Sequence, residues 1–189
     1  MLNQTQSNQT QSNQNQSNQN HSNQNQSNQD QSNQNQFKYV PAGTGPAYCG
    51  PGDRITFLIT GAETGGAFFM AEVSVAPGGG PPPHVHSRED ESFYLQQGTL
   101  AVRVGDKALN VSAGDVVHMP RGVVHSFKNV GGETAKLLMV ATPAGLENYF
   151  AETFFPAADI ADIPQIGQAV IARAMKTAPK YGLELRLPA

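Results

Sequence analysis

The alternation of apolar and polar residues through the middle of the chain predicts a series of short β-strands. Turn signals such as Gln97-Gly98 and Gly105-Asp106 separate neighbouring runs and are typical of hairpins. The predicted strands are 54–60, 67–76, 91–96, 100–104, 107–111, 116–119, 125–129 and 135–142. This spacing favours an all-β sandwich or barrel, with its core at about 54–142, over alternating βαβ units.

The pattern becomes helical after Pro143. Leu146, Tyr149, Phe150 and Phe154 recur at helical spacing, and a second helix is predicted over 159–176. Short isolated helices are marginal in water, so we expect this segment, about 144–178, to dock on an outer face or an open end of the barrel. Residues 41–52 are rich in Gly and Pro and predict an irregular lead-in to the first strand.

Residues 3–36 repeat a five-residue unit of Asn, Gln, Ser and Thr that contains no aliphatic or aromatic side chain. Such a segment buries nothing to offset the entropy of ordering its backbone. We therefore predict a disordered, low-complexity tail over 1–36. The single folded domain is expected over 37–189, which is roughly 150 residues and a common domain size.

Charge and composition narrow the classes of function. The chain has 189 residues and a formal net charge of −3 at pH 7, which argues against binding to nucleic acid or to an anionic membrane. Cys49 is its single cysteine, so an internal disulfide is excluded. No signal peptide or long apolar run is visible, and we expect a cytoplasmic protein.

Candidate chemistry is concentrated after three consecutive prolines, where His84 and His86 are separated by one residue. Two histidines at this spacing on a strand point to the same face, so their imidazoles can reach one ion. Glu91 begins the next predicted strand, and His125 begins a later one. On their own, the first two histidines are equally compatible with a solvent-exposed strand.

The spacing of these residues resembles the two sequence motifs of the cupin superfamily. The first motif is matched by Gly78, His84, His86, Glu91 and Gly98, and the second by Gly114, Pro120, Arg121, Gly122, His125 and Asn129. Fifteen residues, 99–113, separate the two motifs. The resemblance implies a cupin jelly-roll β-barrel.

The resemblance also implies that His84, His86, Glu91 and His125 bind one metal ion. Neutral imidazoles and a carboxylate suit a divalent transition ion such as Fe, Mn, Ni, Co, Cu or Zn. Such an ion keeps one or two positions for water, oxygen or substrate. We expect Gly98 and Gly114 to adopt positive φ at turns, and Pro120-Arg121-Gly122 to aim His125 inward.

Three features resemble single-domain bacterial cupins of the quercetin 2,3-dioxygenase type. They are the Gly-Gly-Gly-Pro-Pro-Pro run before His84, the spacing of His84, His86 and Glu91, and the helical segment after Pro143 that contains Phe150 and Phe154. This similarity implies a metal-dependent dioxygenase with Glu91 as catalytic base and a hydroxylated aromatic, such as a polyphenol, and O2 as substrates. A homodimer formed through sheet edges is also expected. Two alternatives stay open, namely another metal-cupin enzyme (an isomerase or a decarboxylase) and a non-catalytic small-molecule-binding cupin.

Other polar residues are expected to lie outside the site. His118 is interpreted as a packed or surface histidine, Cys49 as incidental, and Arg88, Glu89 and Asp90 as a solvated connection between strands. An apolar cavity is expected to draw on about half of the following side chains, because strand residues alternate between faces: Phe68, Phe69, Met70, Phe93, Tyr94, Phe127 and Met139.

Overall fold

A computed structural model describes residues 37–157 and 168–186 of the chain. The strands are β1 (Ala47–Cys49), β2 (Asp53–Ile59), β3 (Phe69–Val75), β4 (His84–His86), β5 (Asp90–Gln97), β6 (Thr99–Val104), β7 (Lys107–Ser112), β8 (Val116–Met119), β9 (His125–Asn129), β10 (Ala135–Thr142), β11 (Phe155–Pro156) and β12 (Leu183–Leu185). The helices are α1 (Gly61–Thr64), α2 (Leu146–Thr153) and α3 (Gln168–Thr177), and a 3₁₀ turn spans Ala178–Tyr181. The predicted tail, residues 1–36, lies outside the described residues.

The strands form two antiparallel sheets. The seven-stranded sheet has the order β11-β1-β2-β3-β10-β5-β8, and the five-stranded sheet has the order β12-β4-β9-β6-β7. Consecutive strands pass repeatedly from one sheet to the other, as in a jelly roll. The predicted all-β jelly-roll fold is therefore confirmed.

The core lies between the two sheets because apolar residues alternate with polar ones along most strands. In β3 and β10 every second residue is buried, whereas the residues between them are partly or fully exposed. The largest fully buried apolar side chains are Phe69, Phe93, Leu95, Leu100, Met119, Leu137 and Leu146. The last of these comes from α2, so the helical segment contributes directly to the core.

The helical segment agrees only partly with the predicted pattern. The first predicted helix is observed as α2, and the second is described from residue 168 onward, because residues 158–167 lie outside the described part. The following segment was not predicted. It returns to the barrel as β12, whose Leu183 and Leu185 pair with His86 and His84 of β4.

The lead-in over residues 41–52 is also more regular than predicted. Its residues Ala47–Cys49 form β1, which pairs with β2 on one side and β11 on the other. The prediction of an irregular segment was wrong here, because Gly and Pro flank three residues whose backbone completes the edge of the larger sheet.

A buried carboxylate fixes the start of α2. Oε1 of Glu147 accepts the N–H of Gly61 at 2.8 Å, and its Oε2 accepts the N–H of Gly145 at 2.8 Å. This side chain therefore ties the helix to the loop that follows β2. Across residues 37–157 and 168–186, no helix is long and apolar enough to cross a membrane.

Glycines allow the tight turns that the motifs predicted. Gly98 and Gly114 have φ of +89° and +100°, a region that L side chains rarely adopt. Both positive φ angles were predicted, and both are confirmed. At Gly80, a Cβ atom would lie 2.2 Å from the carbonyl oxygen of Phe127, so only glycine permits this approach to β9.

Candidate metal centre

Four predicted metal ligands converge between the two sheets. His84 and His86 lie on β4, Glu91 on β5 and His125 on β9, and all four are buried. One potential ligand atom from each residue lies within 4.8 Å of those of the other three. His84 and His125 are register partners on neighbouring strands, which explains how residues so distant in sequence come together.

The carboxylate of Glu91 lies close to two of the imidazoles. Its Oε2 is 3.3 Å from Nε2 of His86 and 3.8 Å from Nε2 of His125. The His84 and His125 ring centroids are 4.3 Å apart, and the His86 and His125 rings are nearly parallel. The arrangement is compact enough for one ion to contact every side chain.

Backbone carbonyl groups orient two of the rings. Nδ1 of His84 donates to the carbonyl oxygen of Pro82 at 2.9 Å, and Nδ1 of His125 donates to that of Val123 at 2.9 Å. A carbonyl oxygen can only accept, so each Nδ1 carries a proton and each Nε2 is the nitrogen available to a metal ion. In His125 that nitrogen faces Glu91.

Glu89 orients the third ring, a role that sequence reasoning missed. It is only 3% exposed, and its Oε2 lies 3.5 Å from Nδ1 of His86. The prediction that residues 88–90 form a solvated connection was therefore wrong for Glu89. The turn between β4 and β5 places this side chain against His86. No periodic pattern in the sequence predicts that burial.

Several buried polar atoms in and beside the cluster have no hydrogen-bond partner among the described residues. They are Nδ1 and Nε2 of His86, Nε2 of His125 and Oε2 of Glu89. Buried polar atoms are normally paired, because leaving them unpaired costs free energy. The Nε2 atoms of His86 and His125 both face Glu91, and with His84 they form a set of three imidazoles and a carboxylate that fits a divalent transition ion. The residues present thus suit the group that the sequence motifs imply.

The other motif residues hold the ligand strands in place. The N–H of Gly122 donates to the carbonyl oxygen of His86 at 2.7 Å, and Arg121 forms an ion pair with Asp90 at 2.8 Å. The Arg121 guanidinium holds the pKa of the Asp90 carboxyl well below its usual range. The turn after β8 is therefore attached to both β4 and β5.

Asn129 closes the opposite end of β9. Its Nδ2 donates to the carbonyl oxygens of Val75 and Glu133 at 2.9 and 2.7 Å, and its Oδ1 accepts the N–H of Gly131 at 2.9 Å. The side chain is fully buried. Its place in the second motif thus has a structural explanation, because it satisfies backbone groups of β3 and of the loop that follows β9.

Comparison with known proteins agrees with this architecture. Residues 71–141 match the family model of the Cupin domain. This match agrees with the predicted cupin jelly-roll fold. Germin-like protein 5-1 of Oryza sativa subsp. japonica is 34% identical over 118 residues, covering 59% of this chain and 51% of that protein. The chain thus spans about half the length of the germin-like relatives it matches.

Two further relatives carry names linked to polyketides. The tetracenomycin polyketide synthase protein TcmJ of Streptomyces glaucescens is 29% identical over 83 residues, covering 44% of this chain and 54% of that protein. The structure of the polyketide cyclase RemF from Streptomyces resistomycificus has a TM-score of 0.50 at 27% identity, covering 57% of this chain and 80% of that one.

The pKa values of His84, His86 and Glu91 are shifted in different directions. Burial and the neighbouring His125 lower the pKa of His84 to about 3. Burial alone would lower the pKa of His86, but the Glu89 and Glu91 carboxylates raise it to about 9. Burial would raise the pKa of Glu91, but His125 and His86 hold it below its usual range. At neutral pH, a metal ion must therefore displace a proton from His86.

A cavity of about 800 Å³ opens onto the cluster. His84, His86 and Glu91 form part of its wall, and Phe127 and Met139 line it from the sheets. The helical segment supplies further apolar lining that the cavity prediction omitted, namely Leu146, Tyr149, Phe150, Phe154, Ile171 and Ala174. The helices therefore dock where their apolar faces meet the site.

The remaining candidates lie outside the cluster. Phe69 and Phe93 are buried in the core, Phe68 and Met70 are partly buried, and Tyr94 is exposed. His118 is exposed on β8, and its Nδ1 lies 2.8 Å from Oγ of Ser92. Cys49 is buried on β1, and it is not among the clustered ligand atoms.

Proposed function

We propose that this cupin is a metal-dependent dioxygenase that cleaves a small hydroxylated aromatic compound, with Glu91 as the catalytic base. The observation that carries the proposal is the continuity between the buried His/Glu cluster and a largely apolar cavity of about 800 Å³. Cavities of this size accommodate drug-sized organic molecules. A flat, multi-ring substrate fits such walls better than a small dianion would.

Charge supports an uncharged or weakly acidic substrate over a sugar phosphate. Arg103 and Lys128 line part of the cavity, but both are exposed and alternate along their strands with the buried Val102 and Phe127. Their charges therefore line the part of the cavity that runs along the outer face of β6 and β9, and not its inner wall. The inner walls offer Ile55, Val73, Met139 and Phe150, which suit aromatic rings.

Glu91 is placed to accept a proton. Its lowered pKa keeps the carboxylate ionised at neutral pH, and the side chain lines the cavity beside the histidines. A divalent ion held by His84, His86, Glu91 and His125 would lower the pKa of a coordinated hydroxyl group. A substrate hydroxyl within hydrogen-bond reach of Glu91 transfers its proton to the carboxylate and leaves an electron-rich oxyanion.

In the proposed reaction, O2 is the oxidant. Both of its oxygen atoms enter the products as a carbon–carbon bond of the aromatic ring breaks. The apolar lining from α2 excludes water from the oxyanion, and the histidines, oriented by Pro82, Val123 and Glu89, keep the donor atoms in place.

The likeness to RemF and TcmJ favours a second candidate, a reaction of the polyketide-cyclase type. It shares the first step, because Glu91 would again accept a proton from a hydroxyl or an activated C–H group. It differs in consuming no O2. The same apolar cavity would then hold a folded poly-carbonyl chain.

Oxygen uptake separates the two candidates. The full-length protein is loaded with each divalent transition ion in turn. O2 consumption and product formation are then followed over a panel of flavonols, catechols, hydroxylated anthraquinones and linear poly-carbonyl compounds. A dioxygenase consumes O2 in proportion to ring-cleaved product. Product formation without O2 uptake would support the cyclase-type reaction and exclude the dioxygenase.

Variants then test the role of Glu91. At equal metal content, Glu91→Gln is expected to lower turnover by about 10²–10⁴, the usual effect of losing a general base. His86→Ala should instead lose metal and activity together. Full O2 uptake by a metal-loaded Glu91→Gln variant would show that Glu91 is not the base.

A further inference from the structure

A second polar group lines the same cavity, outside the metal cluster. Asp53, the first residue of β2, lies on the cavity wall and is 7% exposed. Its Oδ1 is buried and has no hydrogen-bond partner among the described residues. Neither cupin motif includes this residue, and it follows the Gly/Pro-rich lead-in whose chemistry the sequence left unassigned.

Keeping a carboxylate oxygen buried without a partner costs free energy. Burial raises the pKa of Asp53 to about 7, whereas the backbone amides of Gly50 and Asp53 have smaller, lowering effects. Oδ1 gains no hydrogen bond from any described residue, so it keeps an acceptor position for a hydrogen-bond donor of a ligand.

Gly50 lets the chain pass close to that oxygen. At Gly50, a Cβ atom would lie 2.5 Å from Oδ1 of Asp53 and 2.6 Å from the Phe154 ring. Any other residue at this position would therefore crowd the carboxylate. Tyr149, which also lines the cavity, is close enough for Asp53 to contribute, after burial, to raising its pKa to about 12.

The carboxylate and the metal cluster lie toward different ends of the cavity. Asp53 is in register with Val75, which pairs with Ala135 at the start of β10. Glu91 pairs with Ala141, near the end of the same strand. The wall between them is apolar. A ligand that touches both groups is thus elongated, with polar groups at both ends.

We infer that Asp53 accepts a hydrogen bond from a hydroxyl group on the part of the substrate remote from the metal cluster. This inference rests on the proposed function and refines it. The substrate class becomes an elongated, multi-ring phenol that carries hydroxyl groups at both ends, and Asp53 is the residue that discriminates it from phenols hydroxylated at one end only.

Two anthraquinones test this discrimination. Alizarin carries two hydroxyl groups on one ring, and quinalizarin adds two more on the far ring. Their affinities for the zinc-loaded, full-length protein are measured by absorbance titration for the wild type, Asp53→Asn and Asp53→Ala. Asp106→Asn, which neutralises an exposed turn carboxylate, is the matched control.

We expect the wild type and Asp106→Asn to prefer quinalizarin, and Asp53→Ala to lose about tenfold to a hundredfold in quinalizarin affinity while alizarin binding is unchanged. Asp53→Asn should fall between them, because an amide oxygen is a weaker acceptor. The metal-free Asp53→Asn protein should melt at the same temperature as the wild type or higher.

Three results would overturn the inference. Equal changes in affinity for alizarin and quinalizarin would show that Asp53 does not bind the remote hydroxyl group. A melting temperature several degrees lower in Asp53→Asn would indicate a structural role for the carboxylate. Failure of the metal-loaded wild type to bind either anthraquinone would refute the aromatic substrate class of the proposed function, and the role of Asp53 with it.

Discussion

Replacing Glu89 by glutamine should weaken metal binding in a pH-dependent way. Glu89 is buried, and its Oε2 lies 3.5 Å from Nδ1 of His86, so the carboxylate both orients the ring and favours its positive charge. Glutamine has nearly the same size and no charge. Losing such an outer partner typically costs about 10–100-fold in metal affinity, or about 1.4–2.7 kcal/mol.

Competition between a proton and the metal ion for His86 partly offsets this loss of affinity at neutral pH. With its pKa at about 9, His86 is protonated at neutral pH in the metal-free protein. Displacing that proton costs the wild type about two factors of ten in affinity at pH 7, and this cost disappears as the pH rises through 9. Glu89→Gln lowers the pKa of His86, so the variant has less proton competition to overcome at pH 7. Its deficit relative to wild type should therefore grow as the pH rises.

Zinc affinity measured by competition with a chromophoric chelator, at about pH 7 and about pH 9, tests this reasoning. Glu133→Gln, which neutralises an exposed carboxylate outside the cluster, is the control and should match the wild type at both values. Equal zinc affinity of Glu89→Gln and wild type at the higher pH would refute the positioning role. A deficit that shrinks as the pH rises would refute the assigned effect on the pKa of His86.

Further predictions concern the scaffold. Asn129→Ala breaks three hydrogen bonds of a buried side chain and should lower the free energy of unfolding by about 2–4 kcal/mol, measured by urea denaturation. In Glu147→Gln, one of the two backbone N–H groups faces an amide N–H in place of an acceptor oxygen, so that hydrogen bond is lost. The free energy of unfolding should fall by about 1–3 kcal/mol in the same assay. His118→Ala should leave metal content unchanged, because this exposed side chain lies outside the cluster. Deleting residues 1–36 should leave the melting temperature and metal content unchanged, and a clear fall in either would show that the repeat contributes to folding.

Local patterns in the sequence determined most of the strands and the candidate ligand set. The strand limits of β8, β9 and β10 agree with the predicted ones, because alternation and turn residues act over only a few positions. The spacing of His84 and His86 places both imidazoles on one face of β4 for the same reason. Motif spacing then identified Glu91 and His125, which the fold brings beside them.

Tertiary structure alone decided which other polar residues belong to the site. Glu89 and Asp90 are neighbours in an acidic stretch, yet one is buried under His86 and the other forms an exposed ion pair with Arg121. The lining of the cavity by α2 likewise depends on segments that are remote in sequence packing together. The same holds for the burial of Oδ1 of Asp53, which has no hydrogen-bond partner among the described residues. A side chain's burial depends on what covers it, and the covering residues can lie anywhere in the chain. Alternation along the sequence therefore determines which face a residue occupies, whereas packing determines whether that face meets solvent, core or ligand.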